Sequence, residues 1–401
     1  MARLLKFCIA GLFLVFVLEL AARNLFFPQY TAMLPDMYAP HPLLGHFNKP
    51  DLTVRRYNPM NYDVINRTNS LGLRGGSRDP AKDLSGIWIA GASNTFGGFV
   101  EDDETYAAQL RRYGYRSANL ASEGHGIVNQ TLFIRMLAAQ GYRPRAVILG
   151  ITMYQAISDY EGTYDSFTRP LDGKIQRQND ALSRPRDNLR RGFDTLVSAI
   201  PTSLQPVRAR LLKSSALYGW GKVGIMGVPA LRDLTLRIGL RNDLYLVRNF
   251  DLNLLRPLTA DNPSAPDIAS TAKYIAAMKD LVTRRFNAPF GVVMLPSLQQ
   301  LNPDSLPRFV SHYGLEDEDL SADRTPDGLR RELVRRDVPV LDVLPRLVAT
   351  GSAELHFPDD GHLTARSHAV VGKAVAEWLA TGLGGGHPVP PSTLPVTGAS
   401  K

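Results

Sequence analysis

Ser85-Gly-Ile-Trp-Ile-Ala-Gly-Ala-Ser-Asn-Thr-Phe-Gly97 is the stretch that decides the fold of this 401-residue chain. Ile87, Trp88, Ile89 and Ala90 run apolar without polar alternation, which predicts a strand buried on both faces of a parallel sheet. Gly91 ends the run, Ala92 to Thr95 make a turn, and the acids Glu101, Asp102, Asp103 and Glu104 lead into a helix over 105–112. Ser93 therefore follows the C-terminal end of a strand, the edge at which open α/β sheets bind ligands. A serine there is a nucleophile if a histidine reaches it, and an ordinary turn hydroxyl if none does.

Downstream the pattern repeats. Short apolar runs over 116–121, 146–151, 290–295 and 338–343 predict four more strands, and helical spacing marks 127–140, 267–286, 329–336 and 365–379. Five apolar strands alternating with helices predict an α/β fold with a doubly wound, five-stranded parallel sheet over 85–382. Residues 28–84, rich in Pro, Asn, Gly and Tyr, are expected to be an irregular connecting segment, with 63–76 forming a short strand and turn beside the sheet. The stretch 160–265 lacks strand–turn rhythm and holds helical-looking pieces over 186–200 and 204–212. It is expected to be a mostly helical insertion capping the functional edge, or a separate partner-binding domain. Residues 383–401, with Gly384-Gly-Gly and several prolines, read as a disordered tail.

At the N-terminus Arg3 and Lys6 precede an apolar run over 7–18, which Glu19 interrupts before apolar residues resume. A secretory signal segment is one reading. A retained anchor over 4–27 is preferred, because no small-x-small cleavage site precedes Arg23. Positive charge ahead of the run keeps the N-terminus in the cytoplasm and the rest outside. A hydrophobic content of 44% against 21% charged residues suits a globular body with a sizeable core. The net charge of +8 is dispersed and reads as a solvated basic surface, so no nucleic-acid partner is expected. Cys8 is the only cysteine, so no internal disulfide forms. There is no metal-spaced Cys/His cluster, no phosphate-binding glycine loop and no dinucleotide turn, and no cofactor is expected.

Of the eight histidines, His362 has the richest context, in Phe357-Pro-Asp-Asp-Gly-His-Leu-Thr364 between the fifth strand and the last helix. That loop belongs to the same sheet edge as Ser93. A carboxylate a few positions before a histidine can orient it as the base for a serine, and Asp359 and Asp360 both qualify. His41, His46, His125, His312, His356, His368 and His387 read as structural or solvated.

Taken together, the chain resembles the SGNH (GDSL-like) hydrolase superfamily, and its membrane-anchored bacterial members in particular. Gly91-Ala-Ser-Asn-Thr-Phe-Gly97 is similar to the first block, which implies Ser93 as nucleophile. Asn119-Leu-Ala-Ser-Glu-Gly124 resembles the second block, which implies Gly124 and Ser93 as backbone donors to an oxyanion. Pro144 to Gln155 resembles the strand leading to the third block, and Asp359-Asp-Gly-His362 the last, which favours Asp359 over its near competitor Asp360. Asn69-Ser-Leu-Gly-Leu-Arg74 is similar to the element preceding the first block. Some positions depart from the pattern. Ala92 stands in place of Asp, Tyr154 in place of the oxyanion-binding Asn, Gln155 in place of Asp, and Ser367 in place of a common glycine. Losing one oxyanion donor typically costs about 10²–10³ in turnover; Tyr154 or Gln155 would have to substitute.

The resemblance implies a flavodoxin-like hydrolase fold and a membrane-anchored serine esterase or O-acyltransferase. Its substrate would be an ester, O-acetyl foremost, on an envelope polysaccharide outside the bacterial inner membrane. Two other readings stand beside it. One is an inactive binding or scaffold module. The other is a lipase or thioesterase whose acyl groove draws on Leu204, Leu211, Leu217 and Trp220.

Overall fold

A computed structural model describes residues 2–23, 37–58, 61–75, 79–152, 215–228, 230–231, 234, 255–259, 261–262, 264–302, 305–307, 310, 315, 318–351, 354–357, 361–385 and 388–391. The chain divides into two compact units. The larger comprises 38–52, 66–183 and 244–401, and the smaller 1–37, 53–65 and 184–243.

Nine strands are present among the described residues: β1 Tyr38–His41, β2 Gly45–Asn48, β3 Thr53–Asn58, β4 Tyr62–Arg67, β5 Ile87–Gly91, β6 Ser117–Asn119, β7 Ala146–Thr152, β8 Phe290–Leu295 and β9 Val340–Asp342. The last five form one sheet in the order β6-β5-β7-β8-β9, every pair parallel. This order is compatible with a flavodoxin-like arrangement, in which the chain reverses direction across the sheet beside the first strand. All five expected strands are therefore present, the second and fifth shorter than expected.

Alternation along β5 explains the double winding. Trp88 and Ala90 pack with Val147, Leu149, Val292 and Met294 under the helices Ile127–Ala139, Ser264–Phe286 and Arg324–Val334. Ile87 and Ile89 point the other way, with Ile148, Val293 and Leu295, under Tyr106–Gln109 and Ala365–Ala380. A strand covered on both faces has no polar side to show, hence its continuous apolar run. Trp88 is fully buried and its indole N–H donates to Leu84 O at 2.8 Å. Truncating such a side chain to Ala costs about 3–5 kcal/mol.

Two expectations need correction. Residues 28–84 are not merely connecting: they carry the antiparallel β1–β2 pair and the β3–β4 pair. Pro40 inside β1, and Arg56 and Asn58 at buried positions of β3, conceal both strands from an apolar-alternation reading. The turn after β4 does lie beside the sheet, as expected, with Arg74 bridging Asn119 of the edge strand β6. The expected disordered tail is ordered in part, because Val389 is buried against the Ala365–Ala380 layer and its N–H donates to Leu379 O at 2.9 Å, while residues 392–401 lie outside the described residues. The expected anchor over 4–27 corresponds to the helix Ala2–Ala21, with Lys6 and Glu19 inside it, while residues 24–27 lie outside the described set. Among the described residues no helix is long and apolar enough to cross a membrane.

Most of the expected insertion 160–265, including the pieces over 186–200 and 204–212, lies outside the described residues. Within it the helix Ala216–Gly227 is described, and it belongs to the smaller unit.

Candidate active site

Ser93 opens a four-residue helical turn, Ser93–Phe96, directly after β5. The turn closes at Gly97, whose φ of 68° is left-handed, and whose N–H donates to Ser93 O at 2.9 Å. The close fit of the turn's base dictates small residues around it. A Cβ on Gly150 of β7 would lie 2.4 Å from both Thr95 Oγ1 and the Tyr106 hydroxyl. Those two groups are hydrogen-bonded to each other at 3.0 Å.

The structure brings His362 to Ser93 across 269 residues of sequence, with Nε2 at 2.8 Å from Oγ. One residue further along, Leu363 N–H donates to Asn94 Oδ1 at 3.0 Å. Phe99 packs edge-on against the His362 ring, centroids 4.4 Å apart, and also meets Phe357 of the histidine loop at 6.3 Å. Sequence reading missed Asn94 and Phe99: a turn asparagine and a lone aromatic in a loop carry no periodic signal.

Beneath the serine turn lies a polar frame. Asn119 donates its side-chain amide to Thr95 O at 2.9 Å, and its own Oδ1 accepts from Ala121 N–H at 3.1 Å. The Arg74 side chain is fully buried. It donates to Val100 O at 2.8 Å and Gly97 O at 3.3 Å, is ion-paired with Asp102, and lies over the Phe96 ring at 5.3 Å. Asp102 also accepts from the backbone and side chain of Arg67, each at 3.1 Å. Arg74 thus ties down both ends of the loop that carries Phe99.

Gly124 sits at φ 75° in the loop between β6 and the helix Ile127–Ala139. The β1–β2 pair clamps that loop. Asn48 donates to Ala121 O at 3.1 Å and accepts from Ser122 Oγ at 2.9 Å, and Tyr38 donates its hydroxyl to Glu123 at 2.7 Å. His46 Nε2 meets Glu123 O and His125 Nε2 meets His46 O, each at 2.8 Å. Carbonyl oxygens only accept, so both rings carry their proton on Nε2. Burial pulls the pKa of His46 down and that of His125 down to about 4. His46 and His125 were expected to be structural, and the clamp is the form that role takes.

His368 is buried in the helix Ala365–Ala380, and its Nδ1 accepts the N–H of Tyr106 at 3.1 Å. Burial foremost, then the nearby Arg74 charge, pulls its pKa down to about 3, so it is neutral. Ser367 is buried and donates to Leu355 O at 2.6 Å, so the serine in the glycine's place is satisfied. Asp359, Asp360, Tyr154 and Gln155 lie outside the described residues. No group of three or more His, Cys, Asp or Glu among the described residues is placed to hold a metal ion.

No family model and no curated protein matches the chain. The geometry presents a serine hydroxyl hydrogen-bonded to an imidazole nitrogen, at the C-terminal edge of a parallel sheet, on a helical turn.

Proposed function

We propose that this chain is a membrane-anchored serine esterase or O-acyltransferase of the SGNH (GDSL-like) type, acting on O-acetyl or related esters of an envelope polysaccharide. The observation that carries the reading is the 2.8 Å contact between His362 Nε2 and Ser93 Oγ. A serine is a weak nucleophile at its free pKa and needs a base within about 2.6–3.2 Å.

In this mechanism His362 Nε2 takes the Ser93 proton as Oγ bonds to the ester carbonyl carbon. The tetrahedral oxyanion is met by the N–H groups of Ser93 and Gly124, with Tyr154 or Gln155 as a further donor. As first residue of its turn, Ser93 has no acceptor for its N–H within that turn. The C–O bond to the leaving alcohol then breaks, and the alcohol takes the proton from His362. Water or a sugar hydroxyl, deprotonated by the same imidazole, attacks the carbonyl carbon of the acyl-serine; the carbon–Oγ bond breaks and Ser93 Oγ takes the proton back from His362. Asp359, or its competitor Asp360, orients the ring and stabilises the imidazolium.

The β6-β5-β7-β8-β9 order supports the flavodoxin-like hydrolase fold in this reading. Membrane attachment is supported by the helix Ala2–Ala21, where Phe7, Ile9, Leu12, Phe13, Leu14, Val15 and Phe16 are all more than half exposed. Such residues on every face of a helix suit lipid better than water. With Arg3 and Lys6 cytoplasmic, the catalytic unit faces outside the bacterial inner membrane.

The test is labelling of the full-length chain in detergent with a fluorophosphonate, followed by hydrolysis assays on acetylated glycans and simple acyl esters. Wild type should label, and Ser93→Ala and His362→Ala should not. A folded wild type that never labels would overturn the proposal and favour a binding module.

A further inference from the structure

The segment 215–234 holds an apolar helix that the proposed mechanism does not use. Between Ala216 and Leu231 the sequence has one charged residue, Lys222. The helix Ala216–Gly227 contains four glycines, and a side chain added at Gly221 or Gly224 would meet nothing within 4 Å. Ile225, Val228, Leu231 and Leu234 are 43–49% exposed. In water this helix is poorly supported: each interior glycine costs about 1 kcal/mol relative to Ala, and isolated helices shorter than about 12–15 residues are marginal. In an apolar medium the balance reverses, because the backbone must hydrogen-bond to itself.

Its N-terminus is the informative end. Glu19 is the acid that interrupts the N-terminal apolar run, and its carboxylate caps this second helix. It accepts from Ser215 Oγ at 2.8 Å and from the N–H groups of Ala216 at 2.8 Å and Leu217 at 3.0 Å, and from Arg23 Nε at 2.8 Å. The first N–H groups of a helix lack partners within it, and in lipid they would be left bare. Glu19 supplies partners for the first two of them from the neighbouring exposed apolar helix, and Ser215 Oγ accepts the N–H of Tyr218 at 3.0 Å. Twelve residues rise only about 18 Å, too short for about 30 Å of hydrocarbon.

We propose that the helix Ala216–Gly227, with the apolar residues Val228 and Leu231 that follow it, is a second membrane-contact element, lying in the bilayer interface beside the N-terminal helix and capped there by Glu19. The proposal rests on the anchor reading above, and its occupant is lipid.

The experiment uses the full chain in phosphatidylcholine/phosphatidylglycerol vesicles. On a Cys8→Ser background, single cysteines (Phe13→Cys, Ile225→Cys, Leu231→Cys and Val334→Cys) carry an environment-sensitive fluorophore. Val334, 61% exposed in the larger unit, is the aqueous control. Probes at Phe13, Ile225 and Leu231 should be blue-shifted and quenched several-fold more by doxyl lipids than the probe at Val334. Glu19→Leu should move the Ile225 probe toward water while leaving Phe13 in lipid. If Phe13 is lipid-quenched but Ile225 and Leu231 respond to aqueous iodide like Val334, this proposal falls and the anchor stands. If Phe13 responds to iodide too, both fall. Blue-shifted Ile225 and Leu231 probes that neither quencher reaches would mean a protein partner or second copy covers the segment, which also overturns it.

Discussion

The side chain of Asn94 accepts the backbone N–H of Leu363 at 3.0 Å, one residue along from the Ser93–His362 contact on both strands of the chain. Two loops far apart in sequence are therefore stitched twice, once through the proposed nucleophile and base and once through a bond that has no part in the proposed proton transfer.

Asn94→Ala should cut the rate of fluorophosphonate labelling while costing only about 0.5–1.5 kcal/mol of stability, the net worth of one such bond. Asn94→Asp keeps the acceptor and should recover most of the labelling. Equal labelling by wild type and Asn94→Ala would show that the second stitch does not position the base.

Arg74 should matter out of proportion to its distance from the chemistry. Removing one partner of a buried ion pair leaves the other uncompensated, at about 3–5 kcal/mol. Arg74→Met should therefore lose stability toward the lower end of that scale in urea titration, since the Arg74 side chain is fully buried while that of Asp102 is 17% exposed. Arg74→Lys keeps the charge but not the fork that reaches Gly97 O and Val100 O, so it should recover only part. A loss under about 1 kcal/mol for Arg74→Met, against that expectation, would refute the role given to the pair.

Two buried neutral histidines set an acid limit. The pKa of His368 is pulled down to about 3 and that of His125 to about 4, both below the ordinary 6.5. Between those values and 6.5 the unfolded chain binds protons that the folded chain does not, so stability rises with pH there. Each residue contributes a slope of up to about 1.4 kcal/mol per pH unit within that window, so its contribution to stability is whole above 6.5 and is lost on acidification. His368→Asn, which can still accept the Tyr106 N–H, should be less acid-sensitive than wild type in urea titrations at pH 7 and pH 5. Unchanged sensitivity would mean that His368 takes up its proton without cost.

Much of this architecture is legible before any folding. Ile87 to Ala90, Ala146 to Ile151 and Phe290 to Leu295 announce themselves as sheet centre, because a strand covered on both faces must be apolar at every position. The candidate nucleophile and base are legible too, since each sits in a short local pattern after a strand or before a helix. The β1–β2 and β3–β4 strands are not, because Pro40 inside β1 and the buried Arg56 and Asn58 of β3 break the apolar alternation that marks a strand.

By itself, then, the sequence determined the α/β class, the five sheet strands and a serine at their C-terminal edge. All of these follow from local apolar runs and the turns that end them. Only the tertiary structure decided that His362 reaches Ser93, that Asn94 holds Leu363, that Arg74 is buried beneath the turn, and that Glu19 caps a helix about 200 residues away. Those are pairings of single polar groups. Which donor finds which acceptor is settled by where packing brings the backbone, and not by anything periodic along it.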